Sequence, residues 1–325
     1  MKLVKKILNK FNGLQYPQEY LCFAKETFQH PLHVYLFAGG QVIKDITDSH
    51  LFTGYCPLIF VLHSSSADDP LLNEEITIIF SQEILPLNEF LKEKDAVATL
   101  SLKRVRKQTA GDTTLFYYEG TNGSHHFLSS FHQWILGLNN RLYNKKPGNV
   151  FLNDNLYKQV QVAYGVPRII SLITVTDGHS YNLFPTDLHG AINEHYYVGS
   201  LRHEGKACQQ VESSGMMVIS QIHAGAYKMA FTLGKNHMQE LKPKEDFPFG
   251  ELNSSLFLDP LPQPVLSYRE LQLIESFTHG IHKLLLFKIM SQHTVSDEPA
   301  TLAHIHNVYA TWRYNKGLAG NYLLR

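Results

Sequence analysis

The chain has little that could staple it covalently or announce a chemistry outright. Only three cysteines, Cys22, Cys56 and Cys208, occur in 325 residues. None stands in a Cys-x-x-Cys pair, which excludes a disulfide framework and a cysteine zinc cluster. Reduced thiols in a cytoplasmic protein are the expectation. There is no excess of charge: Lys plus Arg and Asp plus Glu each number 29, which excludes the broad basic footprint of a nucleic-acid binder. No run approaches the ~18 consecutive apolar residues of a membrane span. The basic start MKLVKKILNKF is broken by Lys5, Lys6 and Lys10 and lacks the apolar core of a signal peptide. Its Leu3, Ile7, Leu8 and Phe11 fit one face of a short amphipathic helix instead. The usual catalytic signatures are missing as well. No GxGxxG follows a strand, no GxxxxGK[ST] or GxSxG occurs, and His203-Glu204 runs into Gly205, Lys206 and Ala207 rather than completing HExxH.

What is present is a globular composition, 44% hydrophobic and 18% charged. The length suits about two domains of roughly 100–200 residues each. HVYLFAGGQVIKDI sets two strand-like runs around Gly39-Gly40, and ATLSLKRVRK and TTLFYYEG form a second hairpin about AGD. CPLIFVLH and EITIIF read as strands, and ILPLNEFLKE (84–93) reads as helical. Across 125–143, Phe127, Phe131, Trp134, Ile135, Leu138 and Leu142 recur at helical spacing, predicting an amphipathic helix. The polar stretch 144–155, with Pro, Gly and four Asn, marks a boundary between a domain 1–150 and a domain 156–325. Beyond it RIISLITVT, HYYVGSL, GMMVISQI, LPQPVLSY, GIHKLLLFKIM and HIHNVYATWRY read as strands, interrupted by the helical KACQQVESSG and AGAYKMAFTLGK. The pattern predicts a β-rich α+β fold, the second domain a β-barrel with helical insertions.

Eighteen histidines raise a metal reading: His304 and His306 share one strand face, and His279 and His282 lie three apart. No carboxylate falls at a matching ligand spacing, so no metal site is expected. The stretch Asn182-Leu183-Phe184-Pro185-Thr186-Asp187 is the unusual one. It reads as a loop, stiffened by Pro185, with N–H groups and a hydroxyl to offer a ligand. Arg202-His203-Glu204-Gly205-Lys206 precedes a helix, whose N-terminal N–H groups favour an anion.

From Val166 to Arg325 the sequence resembles the flavin reductase-like, FMN-binding split-barrel family. The phrases that carry this are Val166-Pro167, LITVTDG, Asn182-Leu183-Phe184-Pro185, Val198-Gly199-Ser200-Leu201, Ser214-Gly215 and Gly280-Ile281-His282, in the family's order. The resemblance implies a split β-barrel binding FMN and taking electrons from NADH or NADPH, in a homodimer. It implies flavin contacts at Asn182 through Asp187, at Ser200, Leu201, Arg202, His203, Lys206, Ala207 and Gln210, and cover from Trp312. It places His282 beside the nicotinamide as the catalytic residue. The chain departs from the family at Glu194-His195, where two prolines are usual, at Ala207, where a phosphate-binding Thr is usual, and at Gln210 in place of an Asn. A non-catalytic flavin- or ligand-binding module, or a cofactor-free interaction scaffold, remain the alternatives. The first domain has no such resemblance. Its SHLFTGYCPLIFVLH echoes NLFPTDLHGAINEHYYVGSL, which suggests either an accessory α+β domain or a degenerate, duplicated barrel. Its Lys103-Arg104-Val105-Arg106-Lys107 run reads as a solvated strand.

Overall fold

The structure, a computed structural model, describes residues 11–25, 32–65, 69, 71–92, 95–143, 150–297, 300–318 and 320–323. The expected N-terminal amphipathic helix lies almost wholly outside them. In chain order the first elements are β1 (Tyr20–Lys25), β2 (His33–Ala38), β3 (Gln41–Asp45), β4 (His50–Tyr55), β5 (Leu58–Ser64), β6 (Glu75–Ser81), β7 (Ala98–Ala110) and β8 (Thr113–His125). Helices α1 (Ser130–Tyr143) and α2 (Asp154–Ala163) follow. Then come β9 (Arg168–Ile169), β10 (Ser171–Thr176), β11 (Tyr181–Thr186), β12 (His189–Ala191), β13 (Tyr196–Arg202), α3 (Lys206–Ser214) and β14 (Met216–Ile222). Helix α4 (Tyr227–Leu233), β15 (Phe249–Asn253), β16 (Pro260–Pro262), β17 (Val265–His279), β18 (His282–Thr294), β19 (Thr301–His306), α5 (Asn307–Asn315) and β20 (Tyr322–Leu323) complete the chain.

Two compact units result. One comprises 1–21, 29–167 and 305–320, the other 22–28, 168–304 and 321–325. The division falls at Pro167, not at 150–156. Helix α2 belongs to the first unit because it packs on β8: an added Cβ at Gly123 would sit 3.1 Å from the Gln159 Cα, so glycine is what lets that helix approach the sheet.

Each unit is built on a seven-stranded antiparallel sheet. The orders are β3-β2-β6-β7-β8-β5-β4 and β11-β10-β14-β17-β18-β13-β12. Renumbered by position along the chain, both read 2-1-5-6-7-4-3. The stretch SHLFTGYCPLIFVLH covers β4 and β5, whereas the later stretch that echoes it covers β11, β12 and β13, of which only β12 and β13 hold the places of β4 and β5. The units differ in their connections. The second carries α3 between β13 and β14, and α4 with the β15–β16 pair between β14 and β17. The first has no α-helix at either place among its described residues. The second unit's core is filled by Ile173, Phe184, Val211, Ile219, Leu271 and Phe287. A smaller sheet, β20-β1-β19-β9, borders the apolar cluster of Cys22, Ile170, Leu183, Ala230 and Leu302.

Two sequence expectations fail, each for a local reason. The described part of 84–93 is not helical: Asn88 takes φ 63°, a left-handed turn that ends any helix after Pro86. HIHNVYATWRY is not one strand. The His306 side chain accepts the Val308 N–H and caps α5, so the chain turns helical where tyrosine and valine suggested β. Helix α1 forms as expected, but Phe131 and Trp134 on its predicted core face are 61% and 65% exposed, whereas Ile135 and Leu136 are buried.

Candidate functional site

The segment read as a loop is mostly strand. Asn182 to Thr186 form β11, at the sheet edge, paired antiparallel with β10 through Ile173–Phe184 and Leu172–Pro185. An edge is where a strand tolerates proline, whose nitrogen donates no ladder bond. Strand alternation then sends side chains to opposite faces. Phe184 enters the sheet's main core and Leu183 the cluster around Cys22. Asn182, fully buried, gives its amide N–H groups to Gln210 Oε1 at 2.7 Å and the Asn236 carbonyl at 3.0 Å. These three residues are structural. They hold the end of the strand, Pro185-Thr186-Asp187, in place.

That end lines a cavity of about 250 Å³ with Cys22, Ile170, Ala230, Phe231, Gly234, His237 and His304. Asp187 Oδ2 lies 3.0 Å from His304 Nδ1. The His237 Nε2 hydrogen-bonds the Pro185 carbonyl at 2.7 Å. Burial would press the His304 ring towards neutrality, but its hydrogen bonds with Asp187 and Cys22 reverse this and raise its pKa to about 10. The other histidines near Asp187 move the opposite way. Burial pushes His189 down to about 4 against the pull of Asp187. Burial and then Arg202 push His282 down to about 4, and His237 is lowered chiefly by burial. Asp187 thus raises the pKa of His304, whereas burial outweighs its pull on His189, His282 and His237.

The other expected residues are distributed differently. Ser200 Oγ hydrogen-bonds His282 Nδ1 at 3.0 Å, and both are buried. Leu201 and Ala207 are core residues. Arg202 is exposed and His203 half-buried. Lys206 pairs with Glu240 at 2.7 Å, and with Gln210 it lines a separate groove of about 1190 Å³ along α3. Trp312 lies in the first unit, stacked on Tyr309 and edge-on to Phe127, so it is not grouped with these residues. Among the described residues no cluster of His, Cys, Asp and Glu could hold a metal, and His306 lies 3.7 Å from Glu19 rather than pairing with His304.

Cys22, His189, His237 and His304 were not singled out as site residues in the sequence. Only the shared strand face of His304 and His306 hinted at one of them. Cys22 is more than 140 residues from the rest, and no spacing rule reaches that far.

No family model matches the chain, and no curated protein does. Solved flavoproteins resemble about half of it. An FMN-binding protein from Thermus thermophilus with bound p-hydroxybenzaldehyde is 16% identical, with 42% of this chain and 81% of that one covered at a TM-score of 0.38. An NADH:FAD oxidoreductase from Streptomyces globisporus is 11% identical over 47% and 89%, at 0.41. Nitrilotriacetate monooxygenase component B from Mycobacterium thermoresistibile is 13% identical over 51% and 84%, at 0.40. No helix among the described residues is long and apolar enough to cross a membrane.

Proposed function

We propose that the chain is a flavin-binding oxidoreductase, its second unit an FMN-binding split barrel reduced by NADH or NADPH, working in the cytoplasm as a homodimer. The observation that carries this is the cavity at the end of β11, where an apolar slot lies beside the Thr186 hydroxyl and the Asp187–His304 pair. Ile170, Pro185, Ala230 and Phe231 suit a flat apolar ring, and Thr186 offers a hydroxyl to its polar edge. FMN supplies a hydride acceptor, and stacking geometry matters more to that step than an acid or base. His282, pushed down to about 4, is neutral at pH 7 and serves as an uncharged neighbour, not a proton source.

The phosphate falls to Arg202 and the N-terminus of α3, since Lys206 is paired with Glu240 and Ala207 is inside the core. Gly205 allows the tight approach there: a Cβ would stand 3.1 Å from the Arg202 carbonyl and 3.3 Å from that of His237. Among its described residues the first unit repeats the strand order without α-helices at those places, which fits an accessory role as a degenerate copy. The Lys206–Glu240 pair favours a second reading, a non-catalytic flavin- or ligand-binding module. Titrating FMN and following its fluorescence tests both, and absence of binding at tens of micromolar rejects both. Anaerobic mixing of the FMN complex with NADH or NADPH separates them. Bleaching of the flavin absorbance supports the oxidoreductase, and a flavin that stays oxidised supports the module.

A further inference from the structure

An amphipathic helix ordinarily turns its apolar stripe to the core. Helix α1 keeps one outside as well. Phe131, Trp134, Leu138 and Leu142 fall at i, i+3, i+7 and i+11, one line along the helix. All four are exposed, Leu138 at 41% and Leu142 at 65%. Ile135, Leu136 and Asn140 are buried and already tie the helix to the first unit. The Phe131 and Trp134 rings stack with centroids 6.5 Å apart, so these two form one surface rather than scattered side chains. Phe11 adds another exposed apolar side chain, and its neighbours hold it beside α1. Asn139 Nδ2 donates to Asn12 Oδ1 at 3.0 Å, and a Cβ added at Gly13 would stand 2.6 Å from the His132 ring.

The sequence around this face carries charge of one sign. Residues 1–18 contain Lys2, Lys5, Lys6 and Lys10 and no Asp or Glu. Residues 120–153, which include α1, contain Arg141, Lys145 and Lys146 and again no Asp or Glu. Such cation-only stretches stand out in a chain whose charges balance at 29 each. Lys10 adjoins Phe11, Arg141 is exposed in the last turn of α1, and Lys145 and Lys146 follow its end.

We propose that the α1 face of the first unit docks on an anionic phospholipid bilayer, lying in the interface rather than crossing it. This goes beyond flavin binding and does not rest on it. Tryptophan favours the headgroup level, Phe and Leu bury at the acyl boundary, and nearby basic residues are drawn to anionic lipid. Each such cation is worth roughly fivefold in affinity, and an apolar face combined with a basic patch gives the two signals that stable surface binding takes. Leu138 and Leu142 offer nothing for bases to stack on, which favours lipid over single-stranded nucleic acid. Pairing with the same face of a second copy would set like charges together, which opposes it.

The test is co-flotation of the full-length protein with vesicles of phosphatidylglycerol and phosphatidylcholine in equal parts. At low salt the protein should float with them, and it should bind pure phosphatidylcholine vesicles at least tenfold more weakly. Trp134→Ser with Leu138→Ser should weaken binding at least tenfold while leaving thermal melting unchanged, since both side chains are exposed. Lys5→Gln with Lys6→Gln should weaken it roughly tenfold or more. A second readout needs no destabilising variant, because the chain has two tryptophans and Trp312 is buried. Tryptophan emission should shift to the blue on adding anionic vesicles, and Trp134→Phe should abolish the shift. Failure to float with anionic vesicles, equal binding to both compositions, or binding unmoved by Trp134→Ser with Leu138→Ser overturns the proposal. A dimer that the same variant splits without vesicles would assign the face to a second copy. Retention of oligouridylate without flotation would assign it to nucleic acid, and either result also overturns lipid docking. A flavin titration on the same preparation reads the flavin proposal separately.

Discussion

His304 Nδ1 and Asp187 Oδ2 lie 3.0 Å apart, joining the strand before α5 to the turn after β11 within the second unit. The pair fixes a direction of pH dependence. The folded-state pKa of His304, about 10, stands above its ordinary 6.5, so its contribution is complete below about pH 6.5 and lost as pH rises through 10. His189 and His282 have folded values near 4, below 6.5. Their contribution is present above 6.5 and lost as pH falls towards 4. Thermal stability should therefore peak near neutrality and decline on both sides. Asp187→Asn should lower it by about 3 kcal/mol at pH 7, as expected when one partner of a buried pair is removed, and flatten the alkaline decline. An unchanged alkaline limb in that variant would rule out the pair as its cause.

The same histidines can be read individually. His282 and His189 should appear neutral from pH 5 to 8 in ring ¹⁵N spectra, and His304 protonated up to about pH 9. Ser200→Ala removes the 3.0 Å partner of the His282 ring and should cost about 1–3 kcal/mol, the penalty for a buried polar atom left unmatched. A His304 that titrates near 6.5 would contradict the coupling to Asp187.

These contrasts show where sequence reasoning reached and where it stopped. Strands such as 75–81 and 98–110 were legible because alternation and β-branched runs are local. The duplicated topology was legible only as an echo, since strand order is set by pairing between segments far apart. The β11 segment was read as an open loop because Asn182 and Pro185 are turn residues. Pairing with β10 overrode that preference at an edge where proline costs no hydrogen bond. Asp187 and His282 could be named from local phrases. Cys22, His237 and His304 could not, because only the folded strands bring them to one cavity.

Asn182 is the test of β11 as a structural element. Its side chain is fully buried and donates to Gln210 and to the Asn236 carbonyl. Asn182→Ala strands both acceptors and should destabilise the protein by about 2–3 kcal/mol. Asn182→Asp should do more, because it sets a carboxylate against two acceptors. If either variant melts like the parent but loses flavin binding, Asn182 contacts the ligand directly.

Arg202 and Lys206 were both expected to contact the flavin, and the two side chains have different surroundings in the structure. Lys206 is bonded to Glu240 at 2.7 Å and faces the groove along α3. Arg202 is exposed at the end of β13, close enough to His282 to lower its pKa, and so borders the Asp187 side. A hydrogen bond to a charged group is worth about 1.5–3 kcal/mol. Arg202→Ala should therefore weaken FMN binding by roughly tenfold to a hundredfold in a fluorescence titration, whereas Lys206→Ala should change it less than threefold. Riboflavin, which lacks the phosphate, should bind the parent and Arg202→Ala alike. The opposite ranking, with Lys206→Ala the weaker binder, would move the phosphate from the β13 end to the α3 groove, and with it the flavin away from Asp187.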